Sequence, residues 1–367
     1  MDFDASKLAV PGVRGLQPYV PGKPIEDLER EYGVTGAIKL ASNESPLGAS
    51  PKALAAARAA LTGMARYPDG GGYALKQALA AKLGVGADQI TLGNGSNEIL
   101  EFAVRAFVSA QDEVIFSQHA FALYPIVTQA VGARGVEVTA RHWGHDLAAM
   151  RAAITPRTRL VFIANPNNPT GTWLRSAELR GFLDSVPASV VVVVDEAYFE
   201  YVEERDYPNT IDWLARYPNL ISARTFSKIY GLAGLRVGYG VSSLGVADLL
   251  NRVRQPFNVN SIAQAAAVAA LADDDHLKKV RRVNADGMGQ LVKGFEKLGL
   301  SHIPSAGNFV CVEVGDAGQV YEQLLRAGVI VRPVANYGMP KHLRVTVGLP
   351  EENERFLAAL EPLVAES

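Results

Sequence analysis

Lys228 is the one lysine between Lys82 and Lys278, and it stands in the stretch Arg224-Thr-Phe-Ser-Lys-Ile-Tyr-Gly-Leu-Ala-Gly-Leu-Arg236. Arginine carries the positive charge elsewhere in this region, as at Arg105, Arg157, Arg175 and Arg180, so a solvated cation here had no need to be lysine. What lysine adds is an amine that can lose its proton and bond covalently to a carbonyl carbon. An ordinary surface lysine is the alternative, and the neighbouring motifs bear on the choice. Asp195 follows the run Val190 to Val194 and leads Asp195-Glu-Ala-Tyr198. A carboxylate at the end of a buried strand costs free energy unless a cation or hydrogen-bond donors meet it; a helix cap or a structural salt bridge would also do. Tyr198 offers a phenol that could face the same cavity. Asn165-Pro-Asn-Asn-Pro-Thr-Gly171 follows an apolar strand; it is a proline-fixed turn, and such a turn can also hold one amide, Asn168, still. Gly95-Ser-Asn-Glu98 lies between a strand and a helix, where free N–H groups and the positive helix end can hold a phosphate. An ordinary N-cap by Ser96 with Glu98 nearby is the other reading. The pattern is neither a Walker loop nor a dinucleotide fingerprint. His142-Trp-Gly-His145 has no acidic cluster beside it and reads as a solvated turn, so no metal is assigned.

These groups need a frame. The chain has 367 residues, enough for two or three domains around a large core. With 48% hydrophobic and 20% charged residues and a formal net charge of -2, nothing points to nucleic acid or an anionic membrane as partner. Small molecules are the expected partners. The single cysteine, Cys311, excludes an intramolecular disulfide and suits a reducing compartment. The start Met1-Asp-Phe-Asp-Ala5 is acidic where a signal peptide would be basic, and no apolar run approaches the ~20 residues of a membrane span. The cytoplasm is the expected location.

The first forty residues are rich in proline and glycine and read as an arm. Helical patterns over 51–61 and 73–83 precede a strand over 89–92, the glycine turn, and an amphipathic helix over 99–108. Apolar strands follow at 113–116, 159–163, 190–194, 220–223 and 236–241, with helical patterns between most of them. Strands apolar nearly throughout suit a parallel sheet covered on both faces, whose sites form beyond the strands' C-terminal ends. Helices over 247–253, 262–271 and 276–298 lead to a last alternating part: strand 309–314, helix 320–327, strands 329–332 and 343–347, helix 351–364. The division expected is an N-terminal arm over 1–40, a large α/β domain over 41–250 and a small α+β domain over 251–367 that packs with the arm.

An amine, a phosphate cradle, a carboxylate at a strand end, a tyrosine and an asparagine are the groups that pyridoxal 5'-phosphate requires. The chain resembles the fold-type I pyridoxal-phosphate-dependent aminotransferases, most closely the histidinol-phosphate aminotransferases. The resemblance runs over nearly the whole length. It is carried by Ala41-Ser-Asn-Glu-Ser-Pro-Leu-Gly48, Arg66-Tyr-Pro-Asp69, Gly95 to Glu98, Asn165 to Gly171, Asp195 to Tyr198, Thr225 through Arg236 and Leu343-Arg-Val-Thr-Val-Gly348. It implies a large cofactor-binding domain with a mostly parallel sheet and a smaller α+β domain. Lys228 would hold the cofactor covalently and serve as the catalytic base. Asp195 would pair with the ring nitrogen, an interaction on the order of 4 kcal/mol at ~4 Å and an effective dielectric near 20. Asn168 and Tyr198 would hold the phenolic oxygen. Ser96, Asn97, Thr225, Ser227 and Arg236 would hold the phosphate, with Tyr67 reaching the neighbouring subunit's cofactor, which implies a homodimer. Phe121 stands where several relatives stack a tyrosine on the ring, so stacking is kept and any hydroxyl role is lost.

For substrate the resemblance implies Tyr19 from the arm and Arg332 and Arg344 from the small domain. A guanidinium fork suits both a phosphate and a carboxylate, so one arginine can serve both half-reactions; for Arg332 a strand-edge salt bridge is the alternative. The implied reaction is transamination of L-histidinol phosphate with 2-oxoglutarate, giving imidazole acetol phosphate and L-glutamate in histidine biosynthesis. An aromatic amino acid aminotransferase acting on phenylalanine or tyrosine is the nearest rival, and a decarboxylase of a phosphorylated amino acid shares the scaffold.

Overall fold

The computed structural model describes residues 3–364. Met1 and Asp2, with which the acidic N-terminal reading begins, lie outside the described residues, as do 365–367. Seven strands form the large sheet: β1 (Ile90–Gly93), β2 (Glu113–Ser117), β3 (Arg134–Val138), β4 (Thr158–Ala164), β5 (Val191–Asp195), β6 (Leu220–Thr225) and β7 (Gly238–Ser242). Their order is β1-β7-β6-β5-β4-β2-β3. The pairs from β6 to β3 are parallel, and β7 runs antiparallel to both β1 and β6. The fold is α/β with a mostly parallel central sheet.

The valine run shows why that sheet is central. Val192 and Val194 enter one core, while Val191 and Val193 enter the core on the opposite face. Neighbouring β4 divides likewise, Val161 and Ile163 to one side, Leu160 and Phe162 to the other. With side chains alternating along a strand, only a sheet covered on both faces buries every residue of such a run. Asp195 closes β5 on the face of Val191 and Val193, and Glu196 turns to the other.

Two expected features shift. The helix expected from Ile99 begins at Ser96 and runs to Phe107, so the glycine turn contributes its last residues to the first helical turn. β3, absent from the sequence reading, is an edge strand with four of its five residues not buried, and Arg-Gly-Val-Glu-Val shows no apolar run because an edge position demands none.

A four-stranded antiparallel sheet forms the second core: β8 (His302–Ile303), β9 (Phe309–Glu313), β10 (Arg332–Pro333) and β11 (His342–Thr346), in the order β10-β11-β9-β8. The strand expected over 329–332 is divided. Val329–Ile330 pairs in parallel with Ile38–Lys39, and Arg332–Pro333 joins β11. This division turns Arg332 towards β11 beside Arg344, its register partner. The arm is more ordered than its composition suggests: helix Ile25–Tyr32 buries Leu28 against Ala41, Leu325 and Ile330.

Past residue 250 the packing stays with the large sheet. Helix Ser261–Leu271 buries Ala263, Ala266, Ala267 and Ala270 in the same core as Ala53 of helix Pro51–Ala60, the small side chains allowing close approach. Helix Asp274–Lys297 then spans both cores, with Leu277 and Val280 in the large one and Leu291 and Phe295 in the small one.

Candidate active site

The C-terminal ends of β5 and β6, the start of helix Ser96–Phe107 and the edge of the small sheet enclose a cavity of about 270 Å³. Lys228, Asp195, Tyr198, Asn168, Ser96, Asn97, Phe121, Thr225, Ser227, Arg236, Tyr19, Arg332 and Arg344 all line it. Tyr67 does not. Its ring is 83% exposed and stacks on Phe257 with centroids 4.8 Å apart.

Lys228 sits just after β6, in a turn where Ser227 N–H donates to Thr225 Oγ1 at 3.1 Å. Its Nζ donates to the Ser42 carbonyl at 3.1 Å and lies 5.7 Å from the centre of the Tyr198 ring. Burial, with Arg344 and Arg236 nearby, pushes its ammonium down to about 8. An amine so placed is partly neutral at physiological pH, which a solvated surface lysine is not.

Asp195 is neither a helix cap nor half of a salt bridge. Tyr124 O–H donates to its Oδ2 at 2.9 Å and Ala197 N–H to its Oδ1 at 3.2 Å. Burial raises its carboxyl to about 6 against these two donors. The neighbouring Glu196 is the residue that forms the ion pair, with Arg224 at 2.8 Å, both side chains almost wholly buried on the opposite face of the sheet. Tyr124 was missed in the sequence because nothing local links it to Asp195; the fold brings them together.

The start of helix Ser96–Phe107 carries no side-chain cap. Glu98, which could have closed a capping box, instead accepts from Asn94 N–H and Asn258 Nδ2. The first N–H groups are therefore unspent, at the positive end of the helix. Gly95 has φ +76°, and a Cβ there would meet Arg236 Nη2 at 2.7 Å; one at Gly238 would meet Ser96 N at 2.4 Å. Glycine at both places lets backbone and guanidinium share one corner. Arg236 itself is left-handed at φ +57°, and its Nη1 lies 3.5 Å from Ser227 Oγ.

On the other wall, Arg344 Nη1 donates to Asn168 Oδ1 at 2.5 Å and Nη2 to the Ala41 carbonyl at 2.6 Å, and its buried Nε has no partner among the described residues. Among the described residues, Arg332 forms no salt bridge. It donates from Nη2 to the Val20 carbonyl at 2.7 Å and lies 5.6 Å from the centre of the Tyr19 ring. Tyr19 meets Phe121 edge to face at 6.4 Å. Asn43, named above only within the motif Ala41 to Gly48, reaches the site too: its Nδ2 donates to the Tyr198 hydroxyl at 2.8 Å. Burial raises the Tyr198 phenol well above its ordinary range.

One other group stands apart: His145, expected in a solvated turn, is drawn inwards while His142 stays exposed. His145 Nε2 meets the Ala164 carbonyl at 2.8 Å, and burial lowers the ring to about 4. Among the described residues, no group of three or more His, Cys, Asp or Glu could hold a metal ion, and no helix is long and apolar enough to cross a membrane.

A partly neutral lysine, an anchored carboxylate, an uncapped helix start and three guanidinium groups in one cavity suit chemistry on small anionic molecules. The chain is similar to known proteins over nearly its whole length. Histidinol-phosphate aminotransferase 1 of Nitrosococcus oceani is 61% identical over 361 residues, covering 98% of each chain. Histidinol-phosphate aminotransferase 2 of Pseudomonas fluorescens is 62% identical over 368 residues, covering 100% of each. The crystal structure of histidinol-phosphate aminotransferase from Sinorhizobium meliloti in complex with pyridoxal-5'-phosphate superposes with a TM-score of 0.90 at 35% identity, covering 97% of each chain. Residues 35–360 match the family model for aminotransferase class I and II, a span that takes in both cores and all of the cavity except Tyr19 and its neighbours in the arm, and to that family this chain belongs.

Proposed function

We propose that the protein transfers the amino group of L-histidinol phosphate to 2-oxoglutarate, giving imidazole acetol phosphate and L-glutamate in histidine biosynthesis, with pyridoxal 5'-phosphate as cofactor. The observation that carries this reading is a single cavity lined together by Lys228, an anchored carboxylate, an uncapped helix start, Arg332 and Arg344.

The donor set fits the cofactor. Unspent N–H groups at Ser96 and Asn97, with Thr225, Ser227 and Arg236, form a corner for its phosphate. Asp195 faces the same space and would pair with the ring nitrogen; Asn168 and Tyr198 would hold the phenolic oxygen, and Phe121 would cover the ring. Bound there, pyridoxal phosphate supplies the carbonyl that takes up the amino group and the ring that delocalises the electron pair left when a carbon–hydrogen bond breaks.

The chain's own groups supply the rest. Lys228 Nζ would hold the cofactor and, when free and neutral, would take the proton from the substrate carbon; with a value of about 8 roughly one such amine in ten is neutral at pH 7. Tyr124 and Ala197 keep Asp195 oriented, and because those bonds favour its ionised form they oppose the effect of burial. Arg332 and Arg344 meet the anionic end of each substrate, the phosphate in one half-reaction and a carboxylate in the other. Tyr19, lying against Arg332 and Phe121, closes the cavity from the arm.

Tyr67, exposed and outside its own chain's cavity, is assigned to the partner subunit's cofactor phosphate in a homodimer. The compartment is the cytoplasm. The continuity of the large core through Val280 supports a small domain that starts inside helix Asp274–Lys297.

The test is steady-state turnover with 2-oxoglutarate and either histidinol phosphate or phenylalanine. A specificity constant at least tenfold higher for histidinol phosphate is expected. A preference for phenylalanine would make the protein an aromatic amino acid aminotransferase.

A further inference from the structure

Tyr198 is gripped from the small domain through one residue. Asn43 is 1% exposed and left-handed at φ +55°, a conformation that asparagine tolerates better than most side chains. Its N–H donates to Thr346 Oγ1 at 2.9 Å, Thr346 Oγ1 donates to Asn43 Oδ1 at 3.2 Å, and Asn308 Nδ2 donates to the Asn43 carbonyl at 3.0 Å. Thr346 ends β11 and Asn308 precedes β9, so both partners belong to the small sheet. With the threonine proton on Oδ1, the amide presents its NH2 to Tyr198, and the phenol oxygen accepts at 2.8 Å. A hydroxyl that accepts in this way keeps its own proton for another acceptor. Among the described residues, no side chain or carbonyl accepts it, and the cavity lies beside it.

We infer that Asn43 is a positioning residue: it fixes the direction in which Tyr198 donates, so that Thr346 and Asn308 of the small domain govern the hydrogen bond offered to the cofactor's phenolic oxygen. The inference rests on the reading of Tyr198 given above. It makes the seating of the small domain a determinant of the cofactor's properties, through a residue with no charge and no direct part in proton transfer.

The experiment reconstitutes cofactor-free protein with pyridoxal phosphate and reads two quantities, the dissociation constant and the pH midpoint of the bound cofactor's visible absorbance. The proteins are the parent, Asn43→Ala, Tyr198→Phe and the double variant. Tyr198→Phe moves the midpoint and weakens binding. Asn43→Ala moves the midpoint in the same direction and weakens binding roughly threefold to tenfold, the effect of one neutral hydrogen bond. Added to Tyr198→Phe it changes little, because no hydroxyl remains to direct. Asn43→Asp keeps the size and the Thr346 bond but accepts the phenol's proton instead of donating. Its midpoint shift is at least as large as that of Asn43→Ala, and in the Tyr198→Phe background it shrinks to the part that the added charge contributes directly. Equal effects of the Asn43 variants in both backgrounds overturn the inference, since a packing defect acts with or without the hydroxyl. A shift for Tyr198→Phe with none for either Asn43 variant overturns it and leaves the reading of Tyr198 standing. No shift for Tyr198→Phe removes both.

Discussion

Tyr124 donates its hydroxyl to Asp195 Oδ2 at 2.9 Å, joining buried groups 71 residues apart. The bond reaches the end of β5 from helix Leu123–Ala130, and the Tyr124 ring is itself held by stacking on Phe162 at 4.5 Å. A carboxylate that burial raises to about 6 would be largely protonated in mildly acidic solution, and only its donors limit the rise.

Tyr124→Phe removes the stronger donor and keeps the ring. The carboxyl value then climbs further above its ordinary range, and protonation spoils its match to a protonated ring nitrogen. Cofactor affinity at pH 8 should stay near the parent's, while at pH 6 it should fall roughly threefold to tenfold more than the parent's does. Fluorescence titration of cofactor-free protein at the two pH values checks this. Parallel profiles would show that the Tyr124 bond does not tune the carboxylate.

Asp195→Asn should have opposite effects on binding and on stability. The folded value of about 6 lies above the ordinary 3.8, so stability linked to this group is fully present below pH ~4 and is lost as pH rises through about 6. Above pH 6 the cofactor-free protein carries a buried anion at a cost on the order of 3 kcal/mol. The amide removes that cost. Thermal unfolding of cofactor-free Asp195→Asn should therefore occur above the parent's at pH 8 and near it at pH 4, while its affinity for pyridoxal phosphate drops.

The two arginines should separate substrate from mechanism. Arg332 is braced by the Val20 carbonyl and the Tyr19 ring, whereas Arg344 carries Asn168. Charge-assisted hydrogen bonds are worth ~1.5–3 kcal/mol each. Arg332→Ala should lower the specificity constant for histidinol phosphate by roughly tenfold to over a hundredfold, and that for phenylalanine much less. Arg344→Ala should damage both. Proportionate losses for Arg332→Ala would return that arginine to a structural role.

Tyr67 supplies a test across subunits. When Tyr67→Phe and Lys228→Ala proteins are mixed and allowed to exchange, each heterodimer should contain one site with both residues intact and one with neither. Activity should recover above that of either variant alone. Heterodimers shown to form without recovery would count against a site shared between subunits.

Much of this site could be read from the chain because its residues end strands or open a helix, and those positions follow from local pattern. Asp195 is legible after its valines, and Lys228 as the only lysine of its region. What escaped depends on pairs distant in sequence. Tyr124 with Asp195, Asn43 with Tyr198, and the buried pair Arg224–Glu196 become neighbours only when the sheet is assembled. β3 escaped for another reason, since an edge strand needs no continuous apolar run. The packing of residues 261–280 on the large core was hidden because an alanine-rich helix suits either domain equally well.

The measurement that meets the central claim most directly is borohydride reduction of the protein loaded with pyridoxal phosphate, followed by peptide mapping. Reduction fixes the bond between an amine and the cofactor's aldehyde carbon as a stable secondary amine. One pyridoxyl group per chain is predicted, on the peptide containing Lys228, with no such label in Lys228→Ala. A loaded protein that labels another lysine, or none, would contradict the account.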